Sequence, residues 1–275
     1  MHRSVWKPCI IFTPRDDILS AEAIIKQQAR SILKSNFPKA LIALAIVLLP
    51  YAVIDGTTTA ISFTVMELVS DDSLAEILVY SIGYPVEIVM AFLYSPVING
   101  YIRAYYRAAY NNTIELKDVF FCFSRGQYGK TLRLNLNLVL RMLLPGILFY
   151  APLIIYEIVA VNIPDNGFYD SVLYHDFYFI LSVLSTVGIV LYSLRYFTVF
   201  TVSADNPQFT PKQIFAYNKY IMQDKTTNAA KLIFSFTPWL LLCLLVLPML
   251  YVIPYMTQSL CVSRKWMTKA SLEVN

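Results

Sequence analysis

Between Lys231 and Arg264 the chain runs for thirty-two residues, Leu232 to Ser263, without a Lys, Arg, Asp, Glu or His. A helix in a soluble core needs only one apolar face. A run this long with no charge on any face is therefore a membrane signal. As one straight helix it would measure about 48 Å, against a hydrocarbon core of about 30 Å. Pro248 and Pro254 argue against a straight rod.

The rest of the chain agrees. It is 57% hydrophobic and 15% charged, with mean hydropathy +0.55, whereas an ordinary soluble domain is about 25% charged. The twenty-two Lys and Arg fall into four blocks: Arg3 to Lys39, Arg103 to Arg141, Arg195 to Lys231, and Arg264 to Lys269. Between the first two blocks lie only acids: Asp55, Glu67, Asp71, Asp72, Glu76 and Glu87. Between the second and third lie Glu157, Asp165, Asp170 and Asp176. Basic loops held in the cytoplasm produce this alternation. It predicts an all-α, polytopic helical membrane bundle in a single domain, 1–275, with both termini cytoplasmic.

In chain order, residues 1–17 read as a polar tail without the apolar core of a signal peptide. Residues 18–36 place Ile18, Ala21, Ile25, Ala29, Ile32 and Leu33 on one helical face, opposite Lys26, Arg30 and Lys34. Such a helix lies on the inner leaflet among anionic headgroups, packs under the bundle, or does both. Asn36-Phe37-Pro38 breaks it, and spans follow at about 39–54, 78–99, 138–161 and 177–202. Asp55-Gly56 marks the end of the first, with a Thr-rich extension as the alternative, and Asp71-Asp72-Ser73 forms an outer loop. Pro85 predicts a kink in the second span. That span continues as a helix to Asn111-Asn112, after which Leu116, Val119, Phe120 and Phe123 outline a short amphipathic helix. Pro145-Gly146 and Pro152 interrupt the third span. Asn162 to Asp176 forms the second outer loop. Ser203 to Pro207 is a turn, and Thr210-Pro211 caps a helix carrying Phe215, Asn218 and Met222 on one side.

Both flanks of the charge-free run are basic, so an even number of crossings must separate them. The run reads as a hairpin of two short spans, about 232–246 and 249–263, turning near Leu247-Pro248. This totals six crossings. A single tilted helix with an external tail, totalling five, is the alternative.

The last third also resembles a known group, the uncharacterised multi-pass membrane proteins of Gram-positive bacteria grouped as domain-of-unknown-function family 975. The resemblance rests on Asp205-Asn206-Pro207, Met222, Ser235-Phe236 with Trp239, and Pro254-Tyr255. Ala29-Arg30, Leu33 and Asn36 resemble the opening helix of that family, and Gly100 and Phe120–Phe123 match more weakly. Asp224 and Pro238 depart from its pattern. The resemblance implies an integral protein of the bacterial cytoplasmic membrane, with no established activity. Its motif positions are signature residues that the physics of turns and packing accounts for structurally.

No catalytic set emerges. His2 and His175 are the only histidines, and no CxxC motif joins Cys9, Cys122, Cys243 and Cys261. The sequence thus predicts no cofactor, metal site, disulfide or nucleic-acid partner. Glu87 lies about 13 Å into the second span, where an ionisable group marks either a transport pathway or a hydrogen-bonded structural acid. The reading that follows is a non-enzymatic scaffold, accessory or immunity-like membrane component. A small-solute or lipid transporter using Glu87 is the alternative. The expected partners are the bilayer, anionic inner-leaflet lipids contacting the basic amphipathic segments, and other membrane proteins or a second copy of the chain.

Overall fold

The computed structural model describes residues 21–69, 74, 77–161, 172–223, 225–243 and 245–272. The 1–17 tail with His2 and Cys9, the Asp71–Ser73 loop, most of the 162–176 loop, Asp224 and Asn275 lie outside the described residues. Every regular element among those described is helical. Four stretches are long and apolar enough to cross a bilayer: Ala21–Leu68, Ser81–Asn111, Tyr128–Val159 and Tyr174–Asp205.

Helix α1, Ala21–Leu68, spans forty-eight residues and is two helices joined at a bend. Asn36 leaves helical geometry there, with φ −123° and ψ 15°. Pro38 lacks the amide that would bond to the carbonyl of residue 34, so the bend falls where the ladder is already open. The expected break at Asn36-Phe37-Pro38 is this bend. Asp55-Gly56, by contrast, does not end the helix. The hydroxyls of Thr57, Thr58, Ser62 and Thr64 bond to carbonyls four residues back, and α1 continues to Leu68.

A π-helical turn, Val79–Gly83, leads into α2, Tyr84–Tyr94, with Pro85 in its first turn. The wider turn absorbs the missing proline donor where a kink was predicted. After Ser95 the helix resumes as α3, Pro96–Asn111. Asn112 ends it in the left-handed conformation, φ 58°, its amide bonded to the Ala108 carbonyl. Asn tolerates that conformation better than most residues, and the predicted stop falls here.

The segment after it corrects an expectation. Residues 116–123 form two 3₁₀ turns, Leu116–Asp118 and Phe121–Phe123, not one amphipathic helix. They fold back along α3 as a strap. Val119 is buried while Phe120 is half exposed. Helix α4, Tyr128–Val161, begins ten residues before the predicted span and passes through Pro145 and Pro152 without a break. It pairs with α5, Val172–Ser193. A 3₁₀ turn, Leu194–Tyr196, and α6, Val199–Asp205, follow. Helix α7, Pro211–Met222, opens with Pro211 and a full capping box between Thr210 and Gln213.

The charge-free run also departs from expectation. The first arm is divided into α8, Thr226–Phe234, and α9, Thr237–Leu242. Pro238 opens α9, and the chain reverses between α9 and the helix that follows it, which brings Tyr255 back to 6.3 Å from Trp239, a few residues before the predicted turn. The second arm, α10, Val246–Leu272, passes through Pro254 and continues beyond Ser263. The run is thus a reversal, but not two matched spans.

Burial divides the molecule in two. The main core joins Ala29, Leu33 and Leu44 of α1, Tyr101 to Ala109 of α3, Val119, Phe236, and Tyr255 to Val262 of α10. A second joins Leu134, Val199, Ile214, Met222 and Ala229. Beyond this packed end the helices carry large exposed apolar side chains, including Leu49 to Leu68, Ile82 to Leu93, Leu136 to Val159 and Phe177 to Leu191. The α9–α10 turn shares that character, with Leu241, Leu245 and Leu247 all exposed.

Candidate functional site

The polar side chains converge at the packed end, where α3, the strap, α6 and α10 meet. Arg103 and Arg107 stand one turn apart on α3 and both reach Asp118. The Arg107 guanidinium donates to Asp118 Oδ1 at 2.6 Å, and Arg103 Nε lies 3.5 Å from the same oxygen. Asp118 is only 3% exposed. Arg103 also donates to the Ala204 carbonyl at 2.8 Å and stacks 3.6 Å above the Phe121 ring. The strap thereby supplies the counter-charge for two cations that would otherwise face each other at half burial.

Gly100 makes the strap's approach possible. A Cβ there would lie 1.8 Å from the Val119 carbonyl oxygen, so no other residue fits with the backbone as it stands. At the upper end of the strap, Asn36 acts as a clamp. Its amide donates to the carbonyls of Ile32 and Asn112 at 2.9 and 2.8 Å, and its oxygen accepts from the Ile114 amide at 3.2 Å.

The Asp205-Asn206-Pro207 turn packs against the same group. Tyr106 donates its phenol to Asp205 Oδ2 at 3.3 Å, and Lys130 donates to the Pro207 carbonyl. Asn206 caps α6 through its backbone amide, which bonds to the Val202 carbonyl. A cavity of about 550 Å³ opens here, lined by Arg103, Tyr106, Arg107, Tyr110 and Asp205 among others. Behind the Tyr106 wall lies Arg264 of α10. It is 0% exposed, and none of its three guanidinium nitrogens has a hydrogen-bond partner among the described residues. At the start of the strap, Lys117 pairs with the half-buried Glu115 at 2.7 Å and lowers its carboxyl. Burial raises the Cys122 thiol, against smaller opposing effects of Thr131 and Arg103.

The other signature residues form two further groups. Phe236, Trp239 and Tyr255 make one aromatic cluster, with Tyr255 5.4 Å from Phe236 and 6.3 Å from Trp239. Pro254 is buried beside it. Ser235 bonds to the Leu232 carbonyl and ends α8, and its own carbonyl accepts from Lys26 at 3.1 Å. Lys26 also sits 4.6 Å over the Phe236 ring. The described part of the 18–36 helix packs into the main core through Ala29, Ile32 and Leu33. Met222 is buried in the second core, on the face of α7 that also carries Phe215 and Asn218.

Glu87 belongs to neither group. It lies in the first turn of α2, half exposed among the exposed Val86, Ile88, Val89 and Met90. No hydrogen bond or ion pair joins it to another of the described residues. Sequence reasoning missed Arg103, Arg107, Asp118 and Arg264 as a group. Two arginines four apart on a helix followed by one loop aspartate were a legible hint, whereas nothing in the tail charges distinguished Arg264.

No family model, curated protein or solved structure matches the chain.

Proposed function

We propose that the chain is an integral protein of the bacterial cytoplasmic membrane whose four long helices anchor a packed cytoplasmic base, and that it works as a non-enzymatic scaffold or accessory component. The segregation of burial carries this reading. Polar networks and tight packing gather at the basic end, while the remaining helix lengths expose many large apolar side chains. Only lipid covers such a belt without cost. The basic blocks around Arg103–Arg141 and Arg195–Lys231 lie at the packed end and orient it inward. The resemblance to family 975 is part of the same proposal.

In this reading there are four full crossings. The α9–α10 turn dips into the inner leaflet and returns, because α9 is about 9 Å long and cannot reach the far side. Both flanks then stay cytoplasmic with no further crossing. A reporter fused after Asn275 that is active only outside the cytoplasm would sink this topology.

Transport through Glu87 is the second reading. The π-turn at Val79–Gly83 beside it is its specific support, since such turns often sit at functional sites. Against it, the polar network around Asp118 and Tyr106 includes no contact with Glu87. A scaffold tolerates Glu87→Gln with unchanged membrane yield and unchanged cellular phenotype. A selective loss of solute flux with normal yield would favour the transporter.

A further inference from the structure

The second core carries a cavity of about 720 Å³ whose lining includes Arg141, Arg195, Tyr196, Phe215, Asn218 and Lys219. Its three cations come from three different elements: α4, the 194–196 turn and α7. None of them forms an ion pair among the described residues, and no carboxylate of those residues lines the cavity. Arg141 lies 4.3 Å over the Phe215 ring and also reaches the Tyr196 phenol, and Arg195 lies 5.1 Å over the Tyr192 ring, so each rests on an aromatic face while staying exposed. Three like charges around one cavity repel each other unless something negative joins them.

The cavity is also built. Asn218 is buried, and its side chain donates to the Arg195 carbonyl at 2.7 Å and accepts from the Thr198 amide and hydroxyl at 3.2 and 2.7 Å. This fixes the turn carrying Arg195 beside the helix carrying Lys219. Position supplies the last constraint. Arg141 stands one to two turns inside the exposed apolar run of α4 that begins at Leu136, and Arg195 follows four residues after the exposed Leu191 of α5. The cations therefore ring the edge of the apolar belt, where a lipid's phosphate meets its acyl chains.

We propose that this cavity binds the phosphate of an anionic phospholipid, whose acyl chains lie along the exposed α4–α5 surface. Arg141 and Arg195 hold the phosphate oxygens, and Lys219 supplies the third positive charge. The assignment rests on the membrane reading above and adds one defined lipid site to it.

The test uses the full chain purified in detergent, stripped of lipid and titrated with phosphatidylglycerol while bound lipid is counted by native mass spectrometry. Phosphatidylcholine, which has the same phosphodiester but no net charge, and soluble glycerol 3-phosphate are the two comparison arms. One phosphatidylglycerol is expected to stay bound in preference to phosphatidylcholine, with no competition from glycerol phosphate. Each cation at a membrane surface accounts for about a fivefold change. The triple variant Arg141→Gln, Arg195→Gln, Lys219→Gln should therefore bind on the order of 100-fold more weakly. The charge-matched control Lys117→Gln, Arg125→Gln, Arg133→Gln should bind as wild type. Arg141→Lys with Arg195→Lys should retain most of the binding, which separates loss of charge from loss of fold. Equal retention of phosphatidylcholine, or an unchanged triple variant, overturns the site. Displacement by glycerol phosphate reassigns it to a soluble anion and also overturns the proposal. Recovery of the wild-type chain in the soluble fraction would instead overturn the membrane reading itself.

Discussion

Gly100→Ala places the added Cβ 1.8 Å from the Val119 carbonyl oxygen and 2.6 Å from its carbonyl carbon. An ordinary C···O contact needs about 3.3 Å, so the strap must retreat by about 1.5 Å. The obstacle is backbone, and no rotamer change relieves it. Asp118, the adjacent residue, holds Arg107 at 2.6 Å, and that retreat carries it beyond hydrogen-bonding range. Overpacking and a broken buried ion pair together should cost on the order of 3 kcal/mol. For a chain of this size that lowers the unfolding midpoint by about 6–12 °C. Thermal unfolding in detergent, followed by a thiol-reactive dye in a Cys122-only chain, reads both effects, because Cys122 is a buried residue of the strap itself. Gly56→Ala and Gly146→Ala are the matched comparisons. Nothing lies within 4 Å of either added Cβ, and both sites are inside helices, so each should stabilise by about 0.5–1 kcal/mol. At Gly188 the neighbour at 2.5 Å is the Phe149 ring, a side chain that can turn, so Gly188→Ala should cost less than Gly100→Ala. A Gly100→Ala midpoint within about 2 °C of wild type would refute the reasoning.

Three further outcomes follow from the same network. Asn36→Ala should destabilise by about 2–4 kcal/mol in denaturant or heat, because it strands the buried Ile114 amide and the Asn112 carbonyl together; a loss under about 1 kcal/mol would show that water reaches them. Arg264→Met replaces a fully buried guanidinium that has no acceptor among the described residues, and should raise stability by about 1–3 kcal/mol. A drop in the midpoint would mean that a bound anion neutralises Arg264. Because the fold favours the neutral Cys122 thiol, the stability it contributes is complete below the unfolded pKa and is lost as pH rises through the raised folded value. Labelling of folded Cys122 should therefore climb only above the ordinary thiol range near pH ~8.5, and a labelling midpoint at or below that pH would contradict it.

Much of the architecture could be read from residues alone, because its causes are local. Asn36-Phe37-Pro38 opens the helical ladder within four residues, Asn112 accepts the left-handed cap, and Thr210-Pro211 starts a helix whose capping box closes at Gln213, three residues on. The apolar runs follow from composition, which is why four long helices meet the length of a bilayer. Glu87 is the opposite case: its depth drew attention, yet its neighbours on α2 are apolar and exposed.

What the sequence determined by itself was where polarity is affordable: helices long and apolar enough to span, separated by segments that alternate between acidic and basic. It could not show which basic residues share a carboxylate, because Asp118 meets Arg103 and Arg107 only after the strap folds back over Gly100. Nor could it show that Arg264 ends in the interior, or that Arg141, Arg195 and Lys219 ring one cavity. The charge-free run Leu232 to Ser263 marks the boundary between the two kinds of knowledge. Its lack of charge is local and was legible. Its return toward α1, where Tyr255 and Val262 of α10 share a core with Ala29 and Leu33, joins segments about two hundred residues apart, and nothing local announces it.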